Sequence, residues 1–291
     1  MNDDRTPPPS ELEVKFLLPP GVEAALDAHL ALCSAELGEW DLRQQVATYF
    51  DTSDEEIARR GGSLRVRHDA GGAIQTLKLR RSTGGPFERD EWEWPLGTTN
   101  LDARLLAATP LAHLGDAAAR FRPVFATDVE RSVRRVRFGG AAIEVSRDIG
   151  EIRAGGASEE IRELELELKE GPAGALYDLA LTLTDALSLR LGTESKSDRG
   201  RRLLGRAPAA SEAPAPDLDD RTTGAEALRR IVASCLADLV AGLPAAGAGE
   251  VAGVHRMRIA VRRVRSALAL FRPCLEPAAE ARFTERLRHL G

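Results

Sequence analysis

Residues 163–169 read Glu163-Leu164-Glu165-Leu166-Glu167-Leu168-Lys169, a strict alternation of carboxylates and leucines. In an extended strand successive side chains point to opposite faces, so one face of this segment is wholly acidic and the other wholly apolar. Three like charges on one strand face repel, and such a ladder is stable only where cations offset it. The chain supplies cations in strands of the same construction: Leu64 and Val66 alternate with Arg65 and Arg67, and Leu77 and Leu79 with Lys78 and Arg80. Near the start, Glu11, Glu13 and Lys15 alternate with Leu12, Val14 and Phe16. If the apolar faces pack outward against helices and the charged faces point inward, a closed sheet encloses a lumen lined by carboxylates and by guanidinium or ammonium groups. Arg presents a fork that matches phosphate oxygens, and carboxylates bind hard divalent cations that bridge phosphates. The pattern therefore points to a polyanion with bound metal.

Working outward, further alternating segments lie at Glu88–Trp94 and Ala142–Ser146. Helical periodicity interrupts them at Gly21–Cys33, around Ala103–Leu114, and at Ala173–Leu187, the last opening just after Gly171-Pro172. This part is α+β. The stretch from Arg206 to Asp220 is rich in Ala and Pro and has linker chemistry. Beyond it the pattern is helical throughout, at about Gly224–Leu243, Val251–Phe271 and Pro277–Leu290. The expected organisation is a first domain over 1–206, a linker over 207–221 and a short all-α segment over 222–291.

The 291 residues carry 40 basic and 45 acidic side chains, a net charge of −5, so the chain is not a basic nucleic-acid binder as a whole. Cys33, Cys235 and Cys274 form no CxxC pair, which argues for free buried thiols rather than a disulfide framework or zinc site. The first ten residues are polar and proline-rich, and no run reaches the ~18 uninterrupted apolar residues of a membrane span. A cytoplasmic protein without membrane contact is expected. No GxxxxGK[ST] loop or kinase signature is present to supply the phosphate chemistry.

Glu11-Leu12-Glu13-Val14-Lys15 resembles the ExExK signature that opens the CYTH (triphosphate tunnel) family, which includes one class of adenylate cyclases, thiamine triphosphatases and inorganic triphosphatases. TYFDT (Thr48–Thr52), LRVR (Leu64–Arg67), TLKLR (Thr76–Arg80), ERDEWEW (Glu88–Trp94), IEVSRDIGEI (Ile143–Ile152), ELELELK and SKSDRG (Ser195–Gly200) follow in the family's order. The resemblance covers about Glu11–Leu204 and implies an eight-stranded antiparallel β tunnel with flanking helices. It implies that Glu11, Glu13, Glu165 and Glu167 hold divalent metal, Mg²⁺ or Mn²⁺. Lys15, Arg65, Arg67, Lys78, Arg80, Arg131 and Lys196 would hold phosphate oxygens, and Glu11, Glu13 and Lys15 would serve catalysis. Glu91, Asp148, Glu151 and Glu163 stand as second-tier candidates, and Arg199 is open to a structural role.

The implied reaction is hydrolysis of tripolyphosphate to pyrophosphate and phosphate. A nucleoside or thiamine triphosphatase, an adenylate cyclase, and a non-catalytic polyphosphate-binding module are the alternatives. From Val251 to Gly291 there are nine Arg and three Glu, and His255, Arg258, Arg262 and Arg265 share one helical face. The string VHRMRIAVRRVRSALALFRP resembles the start of CHAD domains, helical modules that bind inorganic polyphosphate. The expectation here is the N-terminal helices of a truncated CHAD domain, with those four residues as its candidate polyphosphate contacts.

Overall fold

The computed structural model describes residues 10–81, 85–206 and 215–288. In chain order it contains β1 (Ser10–Leu17), α1 (Glu23–Cys33), β2 (Glu36–Leu37), β3 (Asp41–Thr52), α2 (Glu56–Arg59), β4 (Ser63–Asp69), β5 (Gly72–Arg80) and β6 (Glu88–Leu96). There follow β7 (Phe121–Phe138), β8 (Ala141–Ala154), β9 (Ala157–Glu170), α3 (Ala173–Leu187), β10 (Arg190–Leu191) and α4 (Lys196–Leu203). Then come α5 (Gly224–Gly247), α6 (Val251–Leu270) and α7 (Pro277–Arg288). Two compact units result: Met1–Arg80 with Arg89–Pro208, and Arg81–Glu88 with Ala209–Gly291. The first eight linker positions, 207–214, lie outside the described residues, as do 1–9.

The strand order β1-β6-β5-β4-β3-β7-β8-β9 closes through a β1–β9 pairing into an eight-stranded antiparallel barrel, the tunnel expected from the alternation. Register carries the alternation from strand to strand, because residues opposite one another share a face. Arg65 stands opposite Thr76 and Tyr49, and Lys78 opposite Glu91. Asp148 stands opposite Glu163 and Arg131. The charged residues thus line one surface. Their apolar neighbours Leu64, Leu77 and Leu79 pack outside against Ile57, Leu106, Leu111 and Leu114, all buried. The long β7-β8-β9 meander turns on two Gly-Gly pairs, Gly139-Gly140 and Gly155-Gly156, each with positive φ at both residues. Such turns match the twist of the flanking strands, and glycine reaches that conformation without Cβ strain.

Several sequence expectations change. Helix around Ala103–Leu114 is instead two short 3-10 segments, Ala103–Ala108 and Ala112–Leu114. Thr109 and Pro110 divide them, and proline disfavours helix at the residue before it. The alternation reading passed over β3, β7 and the capped helix α4. The three thiols are free, yet only Cys235 is buried; Cys33 is half-buried and Cys274 exposed. In the helical unit, Leu228 and Cys235 of α5 pack on Val264, Ala267 and Leu268 of α6. Counting uninterrupted apolar residues also understated α5. By length and composition this helix could cross a membrane, with mean hydropathy 1.4 over its most apolar window and 11% of that window buried.

Candidate active site

The acidic side of the lumen is built by β8 and β9. Asp148, Glu163 and Glu165 bring one oxygen each within 4.8 Å of one another. Asp148 and Glu163 are 0% exposed and Glu165 is 8% exposed. Unpaired, three buried carboxylates would not stay ionised together. Cations hold them in that state. Lys196 Nζ lies 2.6 Å from Glu163 Oε2, 2.8 Å from Glu165 Oε1 and 2.8 Å from Asp148 Oδ2. Arg131 donates to Asp148 Oδ2 at 3.0 Å and to Glu165 Oε2 at 2.8 Å, and Arg199 donates to Glu163 Oε1 at 2.7 Å. Burial pushes Glu165 upward, but Lys196 and Arg131 outweigh it and hold the carboxyl well below its ordinary value. Burial likewise pulls Lys196 down, yet Asp148, Glu163 and Glu165 hold it well above its own.

Local sequence places these cations. Ser195 and Asp198 form a reciprocal cap at the start of α4: Ser195 Oγ accepts from the Asp198 amide at 3.1 Å, and Asp198 Oδ2 accepts from the Ser195 amide at 2.9 Å. Lys196 and Arg199 then fall three residues apart on one helical face. A Cβ on Gly200 would stand 2.5 Å from the Phe125 ring, so glycine is what lets α4 lie on that ring. Phe125 in turn stacks on Tyr49 at 4.3 Å between centroids.

On β1, Glu11 accepts from Lys78 Nζ with both oxygens at 2.6 Å, and Glu91 lies 3.4 Å from the same ammonium. Burial pulls Lys78 down, but Glu11, Glu91 and Glu13 outweigh it and raise the group above its ordinary value. Lys15 donates to the Glu194 carbonyl and lies 3.7 Å from Glu163. Glu167 is held by Lys169 at 2.7 Å. Glu13 differs. It stands opposite Glu167 across the β1–β9 pair, and among the described residues its carboxylate makes no hydrogen bond or ion pair. Burial and then the charge of Glu165 push it up to about 8, with Glu11 adding to the rise and Lys78 and Lys15 opposing it.

Glu11, Glu13, Glu165 and Glu167 therefore do not gather as one compact group; the compact trio centres on the second-tier residues Asp148 and Glu163. An oxygen-only donor set with an unpartnered carboxylate at Glu13, flanked by Glu11 and Glu167, fits a hard divalent cation.

The opposite wall has spare positive charge. Arg65 Nη1 reaches only the Tyr49 hydroxyl, at 3.4 Å, and its buried Nε has no partner among the described residues. Arg67 comes no closer than 3.9 Å to Glu93. Burial, and next the charge of Arg65, hold Arg67 below its ordinary value. Two adjacent guanidiniums with donors to spare suit an anion. Arg80 is exposed at the end of β5, opposite Arg89, and Glu151 pairs with Arg153 away from the trio. Sequence reasoning missed Tyr49 and Phe125, although Ala47, Tyr49 and Asp51 alternate like the other lumen strands, and it left Arg199 undecided. In the helical unit, His255, Arg258, Arg262 and Arg265 are all exposed on α6. Arg262 and Arg265 line a hollow together with Arg272 and Glu280.

A CHAD domain model matches residues 230–291. An inorganic triphosphatase of Haemophilus influenzae is 31% identical over 193 residues, which cover 65% of this chain and 54% of that protein. The chain thus spans about half the length of this curated relative. Among solved structures, a Hippeastrum adenylyl-cyclase candidate described as having a dominant triphosphatase activity is 21% identical, with TM-score 0.45, covering 66% of this chain and 95% of that one. A candidate adenylate cyclase of Bacillus halodurans is 18% identical, with TM-score 0.44, covering 65% and 96%. A CYTH domain model matches residues 10–200, about two-thirds of the sequence, and the chain belongs to the CYTH domain family.

Proposed function

We propose that the lumen is the active site of a metal-dependent inorganic triphosphatase that hydrolyses tripolyphosphate to pyrophosphate and phosphate. The observation that carries this is the pair Arg65 and Arg67, enclosed and without a carboxylate within hydrogen-bond distance among the described residues, facing a wall whose acids are nearly all paired. Family membership and the triphosphatase relative support the reaction class. The catalytic unit spans 1–206, joined through 207–221 to CHAD-like helices over 222–291.

Arg65 and Arg67 hold phosphate oxygens through their forked donors, with Lys78 and Arg80 along the next strand. Lys15 lies near Glu163 at the far side of the lumen and contributes an ammonium there. Arg131 and Lys196 are committed to Asp148, Glu163 and Glu165, and they act on the substrate through the field they add to the lumen. Glu11 and Glu13, with Glu167, are the proposed ligands of a divalent cation, Mg²⁺ or Mn²⁺, which when bound would offset phosphate charge and order the attacking water, while Glu165 keeps Lys196 and Arg131 as its partners. Water attacks the terminal phosphorus in line, the P–O bond to the diphosphate breaks, and the cationic wall stabilises the charge passing to the leaving oxygen. The exposed stripe His255, Arg258, Arg262 and Arg265 is a second place for inorganic polyphosphate.

Phosphate release from tripolyphosphate, ATP and thiamine triphosphate, compared with Mg²⁺, Mn²⁺ and chelator, tests the proposal. Metal-dependent preference for tripolyphosphate is expected; equal or faster turnover of ATP would replace it with a nucleotide enzyme.

A further inference from the structure

Phosphoryl-transfer sites commonly use two metal ions, and the lumen contains carboxylates enough for two. Glu11 and Glu13 on β1 offer one position. Asp148, Glu163 and Glu165 offer another, with oxygens within 4.8 Å of one another and little or no exposure. The second position is not open. An ammonium has three donors and no acceptor; Lys196 hydrogen-bonds Glu163 at 2.6 Å and Glu165 at 2.8 Å and forms an ion pair with Asp148 Oδ2 at 2.8 Å.

Taking the proposed function as its basis, we infer that Lys196 is a built-in counter-ion filling the second cation position, so that this lumen takes one divalent ion instead of two. Charge supports it. Four cations lie within salt-bridge distance of the three carboxylates: Lys196, Arg131, Arg199, which is shared with Glu159, and Lys15 at 3.7 Å. A divalent ion added to carboxylates already offset by these cations would leave an uncompensated double charge in an enclosed site, which is costly.

Placement supports it as well. Lys196 is the first residue of α4 behind the Ser195–Asp198 cap, and Gly200 seats the helix on Phe125, so secondary structure delivers the ammonium to this point. One further atom marks the position as a cation site with a ligand to spare. Asp148 Oδ1 is buried and has no partner among the described residues, whereas Oδ2 takes both Arg131 and Lys196. Lys196 leaves that oxygen unused, whereas a divalent ion with six or more oxygen ligands has a use for it.

The test is a count of Mn²⁺ bound per chain, read by electron paramagnetic resonance of free Mn²⁺ during titration of the full chain without substrate. Wild type should bind one ion, lost in Glu13→Gln and kept in Asp148→Asn. Lys196→Met should bind two, and adding Asp148→Asn to it should return the count to one. Lys196→Gln, which keeps one amide donor for the cluster, is the second variant if Lys196→Met does not fold by circular dichroism. Two ions in wild type would overturn the inference, as would one in a folded Lys196 variant or a loss of binding in Asp148→Asn alone. No ion in wild type with one in Lys196→Met would keep the counter-ion role and remove the metal-dependent function instead.

Discussion

The tunnel unit and the helical unit are made from the same charged residues and use them in opposite ways. In the tunnel, Arg131, Lys196 and Arg199 are enclosed and meet carboxylates at 2.6–3.0 Å, while Arg65 and Arg67 are enclosed and meet almost none. On the helices, Arg229 and Arg230 reach Glu226 at the surface, and the α6 stripe of His255, Arg258, Arg262 and Arg265 faces water. What separates the two is dielectric surroundings. A charge pair in the interior is strong but expensive to break, whereas one in water is weak and screened. Counting arginines would rank the helical tail as the better anion site; enclosure ranks the tunnel first.

The largest effect tests this directly. Glu163→Gln keeps the shape but removes the charge shared by Lys196 and Arg199. Breaking a buried pair costs about 3–5 kcal/mol, or roughly 10 °C in midpoint for a unit of this size. The exposed Glu151–Arg153 pair is the control, because its side chains are 38% and 60% accessible. Glu151→Gln should cost under about 1 kcal/mol. Urea denaturation of both variants decides, and equal losses would mean that the trio is no more buried in solution than the surface pair.

Next in size is a change on the unpaired wall. Arg65→Ala should leave stability unchanged or raised, since it removes one of two adjacent guanidiniums that lack carboxylates. Turnover of tripolyphosphate should fall by about 10²–10³, the usual loss for a preorganised donor to developing negative charge. A large loss of stability with Arg65→Ala would instead make this arginine a structural cation, and the contrast between the two walls would collapse.

These two residues also show how far the sequence could be read. Alternation in Leu64–Arg67 and Glu163–Lys169 placed both on the lumen face, and register put them there. Their partners were not legible in that way. Lys196 stands 33 positions beyond Glu163 on a helix of eight residues, too short for a periodic signal, and only folding brings it onto the trio. The resemblance assigned it to phosphate; in the structure its ammonium hydrogen-bonds Glu163 and Glu165 and pairs with Asp148. The strands β3 and β7 escaped for another reason. Their outward faces carry charge as well, as at Glu130 and Arg134, so the two-faced contrast that betrays a strand is blurred. Lone acids gave no order either: Asp148 was legible only as part of an acidic segment, and its central place follows from lying opposite both Glu163 and Arg131.

The smallest effect belongs to the helical unit and sharpens the contrast from its other side. Thr223 caps α5 by accepting from the Glu226 amide, and Glu226 then accepts from Arg229 and Arg230. The hydrogen bonds from Arg229 and then Arg230 lower the Glu226 carboxyl to about 2. A depressed acid stabilises the folded helix start above its unfolded value of ~4.3 and loses that contribution as pH falls through the folded value. Acidification from about 4.3 to about 2 should therefore free the first turn of α5 to exchange its amides, and Glu226→Gln should abolish that dependence. Because the cluster lies at the surface, with Arg229 exposed and Glu226 half-buried, added salt should move the Glu226 midpoint, followed by carboxyl ¹³C shifts, back toward the ordinary value. The same salt should leave Glu163→Gln as damaging as before, since the Debye atmosphere does not enter the lumen trio. A Glu226 midpoint that ignores salt would show that the helix start is enclosed in solution, and the division between enclosed and open charge would no longer follow the division between the two units.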